Sequence, residues 1–389
     1  MRTIALIGNI VLPDRILEGG TVVIDQERLS GVFSKDRSPS LEGMDRRDHS
    51  GCYITPGLID IHLHGAMGRD VMDADAAGLA EIAAHQARCG VTGFLPTTLA
   101  APLEAVETAV GHVREATADR TTAEILGVYL EAPFLNLKKK GAQNPEFIRP
   151  IRDEDVRRLA QAVRSLRTII AVAPEVGHNM GFIPALKEKG WVVSIGHSEA
   201  DYAQAILAFE SGVSHATHLY NAMSGFLPRE PGVIGAVLDS DGVTAELIAD
   251  GVHVHPAALR LAVRQKGPDR ICLVTDSMNA SGLGDGDFRM GGLEVSVKDG
   301  QARLKDSGAL AGSVLTLNRA VANIVEWTGL PVPQAVRMAS LTPARVLGLD
   351  GELGSLETGK RANVAVFDRD FNVVATILRG RLERAERLK

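Results

Sequence analysis

Eight short apolar, β-branched runs recur through the middle of the chain, and the stretches between them carry Ala, Leu and Glu at helical period. The runs are Gly57–His62, Gly90–Leu95, Ile125–Leu130, Thr168–Ala173, Trp191–Ile195, Gly212–Leu219, Gly242–Ile248 and Ile271–Thr275. The patterns between them include Ala76–Cys89, Pro102–Glu115, Asp153–Leu166, Asp201–Glu210 and Pro256–Gln265. Short apolar runs bounded by turn signals read as strands buried on both faces, and longer periodic stretches read as helices. Alternation of this kind needs parallel strands covered by helices, and eight units predict an α/β fold, a (β/α)8 TIM barrel. Residues 55–345 are assigned to it.

Outside the barrel the texture changes. Thr3–Val11 and Thr21–Asp25 are short β-rich runs, and the same texture returns after Gly354 in Asn363–Asp368 and Asn372–Leu378. Chain termini often lie close together, so residues 1–54 and 346–389 are expected to form one small β domain built from both chain ends. A chain of 389 residues has room for a large barrel and such an appendage.

Composition excludes several functions. With 42 Lys and Arg against 48 Asp and Glu the net charge is -6, which argues against a broad nucleic-acid surface. Aromatic residues are only 4% of the chain and give no stacking stripe for single strands. No apolar run reaches the roughly 18 residues of a membrane span. Cys52, Cys89 and Cys272 are odd in number and widely spaced, which fits a reducing, cytoplasmic home.

The chemistry sits at the strand ends, where barrels of this type place catalytic groups. The first run ends Asp60-Ile-His62-Leu-His64-Gly65, and strand alternation puts His62 and His64 on one face, as two metal ligands or as two polar interior histidines. The third run ends in Glu131, which is a ligand or a capping carboxylate. The fifth ends at His197, the sixth contains His215 and His218, and the eighth ends at Asp276. Borderline metals accept imidazole nitrogen and carboxylate oxygen, and three protein ligands leave a position open for hydrolysis. Glu131, His197 and His218 supply such a set. Asp276 is placed to move a proton between water and a leaving amine, or else to cap a following helix.

The motifs Pro56-Gly57-Leu-Ile-Asp60-Ile-His62-Leu-His64-Gly65, Thr217-His218-Leu-Tyr-Asn221-Ala222-Met223, Arg229-Glu-Pro-Gly232 and Leu273-Val-Thr-Asp276 resemble the amidohydrolase superfamily, and within it the N-acetylglucosamine-6-phosphate deacetylases. The likeness also takes in Leu130-Glu131-Ala-Pro133, Asp250-Gly-Val-His253 and the segment from Gly354 to Val366. It implies a metal-dependent barrel beside a β-sandwich made from both chain ends. Glu131, His197 and His218 are implied as metal ligands and Asp276 as the catalytic acid/base. His62 and His64 match members that hold a second ion, with Glu131 bridging. Zinc is favoured as one ion or two, and iron, cobalt or manganese would suit the same ligands. Ala142, Gln143, Asn221 and Ala222 are implied to bind the sugar, Leu310, Ala311 and Gly312 to close over it, and Arg229 and His253 to hold its phosphate. Arg229 is implied to reach the neighbouring subunit's site, hence a homodimer.

The implied reaction is hydrolysis of the acetamide of N-acetylglucosamine 6-phosphate to glucosamine 6-phosphate and acetate, in amino-sugar catabolism. The galactosamine epimer is the nearest alternative, followed by another N-acyl sugar phosphate, a cyclic amide or purine, and a non-catalytic scaffold that kept only the barrel. Two positions depart from the family pattern. Ala132 stands where Gly is usual, and Gln143 where His is usual, which predicts slower turnover or a shifted substrate preference, since Gln donates a hydrogen bond but carries no charge. Lys138–Lys140 is expected to be a solvated loop, Gly282–Gly286 a flexible loop or lid, and His215 a structural neighbour of the metal histidine.

Overall fold

The computed structural model describes residues 3–384. Within it, eight parallel strands follow one another around a barrel: Leu58–Leu63, Val91–Thr98, Val128–Leu130, Thr168–Val172, Val192–Ile195, Val213–Ala216, Thr244–Ile248 and Ile271–Val274. The register is continuous, with Tyr129 opposite Ile169, Ile170 opposite Val193 and Leu247 opposite Leu273. Closure comes just beyond the strand ends, where Leu63 bridges Ser277 in parallel and the His64 N–H donates to the Ser277 carbonyl at 2.8 Å. The third predicted run is broken at Gly127, where a Cβ would lie 2.2 Å from the Arg167 carbonyl oxygen.

Helices cover the strands because the sequence supplies both caps and an apolar stripe. Asp75 accepts the Gly78 N–H at the start of Ala76–Arg88, and Asp201 and Gln204 form a reciprocal capping box at Tyr202–Ser211. Leu79, Ile82, Val106, Val110 and Leu159 from helices meet Phe94, Leu130, Val172 and Ile195 from strands in one buried cluster. Each such side chain contributes about 1.5–3 kcal/mol by leaving water.

Strands from the two chain ends share one seven-stranded sheet. Asp45–Pro56 lies parallel to Ile4–Val11 and antiparallel to Val364–Phe367, with Val366 opposite Ile54. Alternation divides its two faces: Val364, Val366 and Ile377 close a small core of their own, while Ala365, Phe367 and Leu378 join the barrel cluster. Arg361 and Arg379 both reach Glu124, at 2.9 Å and 2.8 Å, tying the sheet to the barrel. Residues 1–2 and 385–389 of the expected β domain lie outside the described residues.

After the eighth strand the structure holds an element outside the eight strand–helix units. Gly286–Met290, Leu293–Lys298 and Gln301–Leu304 form a three-stranded antiparallel sheet. Its signal was present in the alternation of Leu293, Val295 and Val297 and in Asp299-Gly300, both at positive φ, which turns Lys298 onto Gln301.

Candidate active site

Three strand ends converge on one point. Oε1 of Glu131 stands 3.1 Å from Nε2 of His197 and 3.1 Å from Nε2 of His218, and those nitrogens are 3.1 Å apart. A second group lies against the first. Asp276 Oδ1 is 3.1 Å from His64 Nε2 and 3.5 Å from His62 Nε2. Glu131 joins the two, with Oε1 3.5 Å from His62 Nε2 and Oε2 3.3 Å from His64 Nε2. All six side chains are buried.

Backbone acceptors fix which ring nitrogen faces inward. Nδ1 of His197 lies 2.7 Å from the Lys139 carbonyl and Nδ1 of His64 3.1 Å from the Thr97 carbonyl. A carbonyl only accepts, so each Nδ1 carries the proton and donates. Nδ1 of His62 donates to Glu246 Oε2 at 2.9 Å. In their neutral form these rings turn Nε2 lone pairs onto the carboxylates of Glu131 and Asp276, an arrangement that repels itself unless positive charge, a proton or a cation, lies between. Imidazole and carboxylate donors from rigid strand ends, backed by outer hydrogen bonds, fit a divalent metal ion.

Protons compete for the same place. Burial disfavours a charged His62, but Glu246, Glu131 and Asp276 outweigh it and hold its pKa up at about 9. Burial would likewise raise Glu131, yet His62, His197, His218 and His64 keep its carboxyl well below the usual carboxylate range.

The backbone is bent to aim these groups. His197, His218, Ala222 and Asp276 have φ of 46°, 28°, 51° and 49°, in the left-handed region that non-glycine residues occupy at a cost of about 1–2 kcal/mol each. Asp276 is held there by its N–H to the His62 carbonyl at 2.9 Å and by the Ser313 N–H to its own carbonyl at 2.7 Å. No helix begins at Asp276, so the capping alternative falls away.

A cavity of about 310 Å³ opens over the site, with His64, Glu131, His197, His218 and Asp276 at its base. Ala142, Gln143, Asn221, Ala222, His253, Leu310 and Gly312 line it as well. His62 lies beneath, fully buried. Nδ1 of His253 is 2.7 Å from Asp250 Oδ2, and Asp250 Oδ1 accepts the N–H of both Val252 and His253. Gln143 Nε2 donates to Glu131 Oε2 at 2.6 Å, and its Oε1 accepts the Ala100 N–H at 2.7 Å.

Two expected substrate-binding residues do not line this cavity. Ala311 is buried in the core of the three-stranded sheet, donating its N–H to Ala302, because strand pairing claims that side of the segment. Arg229 is exposed and lines a separate surface concavity with Tyr202, Asp201 and Glu230. The Lys138–Lys140 segment is more than a solvated loop, since Lys138 and Lys139 also line the cavity and Lys139 pairs with Glu199 at 3.3 Å. Glu246 escaped the sequence reading. It is wholly buried in the seventh strand and takes hydrogen bonds from His62, His215 and the His218 N–H. One carboxylate inside an otherwise apolar run was its signal.

Residues 53–382 match the Amidohydrolase family. An N-acetylglucosamine-6-phosphate deacetylase of Vibrio furnissii is 42% identical over 364 residues, 92% of this chain and 91% of the relative. An N-acetylgalactosamine-6-phosphate deacetylase of Escherichia coli O157:H7 is 41% identical over 330 residues, 85% of this chain and 87% of the relative. A mutant N-acetyl-D-glucosamine-6-phosphate deacetylase from Mycobacterium smegmatis, solved in complex with N-acetyl-D-glucosamine-6-phosphate, is 31% identical, with a TM-score of 0.92 over 98% of this chain and 99% of that one. A strand-end metal site, a matching fold and relatives of this identity agree, and the chain belongs to the amidohydrolase family, in the branch of the N-acetylglucosamine-6-phosphate deacetylases.

Proposed function

We propose that this chain hydrolyses the acetamide of N-acetylglucosamine 6-phosphate, giving glucosamine 6-phosphate and acetate in amino-sugar catabolism. The convergence of Glu131, His197 and His218 with Asp276 on one cavity floor carries the reading. A divalent cation, zinc being favoured by the His and carboxylate donors, would supply Lewis acidity toward the amide carbonyl and would lower the pKa of the attacking water. Glu131, His197 and His218 would hold it, and His62 and His64 with Glu131 would hold a second. Asp276 takes the proton from the attacking water and passes it to the amine nitrogen as the C–N bond breaks. Its carboxyl is ready to accept. Burial acts to raise its pKa, but His62 and His64 bring it below the usual range.

Substrate selection falls to the walls. Ala142, Gln143, Asn221, Ala222 and the Leu310–Gly312 segment would hold the sugar, and His253, oriented by Asp250, would donate to its phosphate. Arg229 would complete the phosphate site of a neighbouring subunit. Its exposure, beside Phe226 at 62% and Leu227 at 56%, suits a homodimer contact. The unpaired thiols of Cys52, Cys89 and Cys272 suit a reducing, cytoplasmic compartment. Among the described residues no helix is long and apolar enough to cross a membrane.

Release of free amine from N-acetylglucosamine 6-phosphate, its galactosamine epimer and the unphosphorylated sugar tests the reading. Chelator-sensitive turnover confined to the phosphorylated gluco sugar supports it. Preference for the galacto epimer would favour the second reading, to which the 41% identical relative points. No turnover of either by folded, metal-loaded protein would overturn both.

A further inference from the structure

The side-chain amide of Gln143 is used at both ends inside the protein. Its Oε1 accepts from the Ala100 N–H at 2.7 Å, and its Nε2 donates to Glu131 Oε2 at 2.6 Å. The orientation is unambiguous. A flipped amide would set Oε1 against a carboxylate and Nε2 against a backbone N–H, losing both bonds. Gln143 is 3% exposed, so water does not compete for them.

The two oxygens of Glu131 are thereby made unequal. Oε1 is free of Gln143 and faces the Nε2 atoms of His197 and His218, at 3.1 Å each, with His62 Nε2 farther off at 3.5 Å. Oε2 is the oxygen turned to His64, at 3.3 Å, and it already accepts a short hydrogen bond. An oxygen that already accepts a short N–H bond keeps one lone pair and is a weaker donor to a cation than its free partner, and a carboxylate held at one oxygen presents the other in fixed orientation.

We infer that Gln143 is a positioning residue that ranks the two cation positions, strengthening the one at Glu131, His197 and His218 and weakening the one at His62, His64 and Asp276. The inference rests on the metal-dependent reading above and concerns this chain's own Gln143. It requires no contact between Gln143 and substrate.

The test is the pair of stepwise Zn2+ dissociation constants of the stripped full-length protein, measured without substrate by competition with a chromophoric chelator. In the wild type the first ion is expected to bind at least about 10-fold tighter than the second. Gln143→Met has similar length and no amide, and it is expected to narrow that gap by about 10-fold, from a weaker first ion and a tighter second. Gln143→Glu keeps an acceptor for Ala100 and puts an anion beside Oε2, and it is expected to tighten the second ion further. A gap unchanged in both folded variants overturns the inference and leaves the metal-dependent reading standing. A wild type that takes up no Zn2+ overturns both.

Discussion

Nδ1 of His62 donates to Oε2 of Glu246 across 2.9 Å of barrel interior, joining residues 184 positions apart. The same oxygen accepts the His218 N–H at 2.9 Å, so one buried carboxylate orients a histidine of each cation group. Glu246→Gln keeps the shape and an acceptor oxygen but removes the charge behind His62. Loss of such outer partners lowers metal affinity by about 10–100-fold, and the fall is expected at the His62 and His64 position with the fold intact. Glu246→Leu leaves the donors of His62, His215 and His218 unpaired, at about 1–3 kcal/mol each, and is expected to unfold at a clearly lower temperature. Metal titration and thermal melts of both variants check this.

Asp276 touches both His64 and His62 but lies outside the Glu131, His197 and His218 trio. Asp276→Asn is therefore expected to keep at least one ion while kcat falls by about 100- to 10,000-fold, the range for a lost general acid/base. Metal analysis beside steady-state kinetics decides it. Turnover near wild type would remove Asp276 from the proton path.

Arg229 and Asp276 serve different subunits if the phosphate site is shared. Homodimers of Arg229→Ala and of Asp276→Asn are each expected to be nearly inactive. Unfolded together and refolded, they should regain about a quarter of wild-type activity, because half the dimers are mixed and each has one complete site. No recovery in demonstrably mixed dimers would show that Arg229 acts within its own chain or not at all.

His85 is 1% exposed, packed beside Cys89 and Ser281, with no partner for Nδ1. Burial, with a smaller push from Arg88, lowers its pKa from 6.5 to about 4. Between those values the unfolded chain binds the extra proton, so the contribution of His85 to stability rises with pH from about 4 to 6.5 and is level above. The loss from His85 on acidification to pH 4 is on the order of 2–4 kcal/mol, and the difference between wild type and His85→Leu across that range is expected to show it. Denaturant melts from pH 4 to 7.5 measure it.

Local chemistry made much of this protein legible in its sequence. Buried strands must be apolar on both faces, so eight of them announce themselves, and the polar residues at the ends of five runs mark where the barrel opens. Alternation alone puts His62 and His64 on one face, and Asp201 with Gln204 marks a helix start. The Asp299-Gly300 turn is equally legible, although the hairpin it makes lies outside the eight strand–helix units.

Other features depend on partners far away in the chain, and only the tertiary structure decided them. Nothing near His62 indicates Glu246, and nothing near Glu131 indicates that Gln143 would hold one of its oxygens. Which nitrogen His197 turns inward is set by the Lys139 carbonyl, 58 positions away. Ala311 faces a sheet core and Arg229 the outer surface, although each belongs to a segment that borders the site. The sequence determined which donors exist and which strand ends carry them, because those follow from period and polarity. Distance, tautomer and facing direction come from strands closing on one another, and they exist only once the barrel is complete.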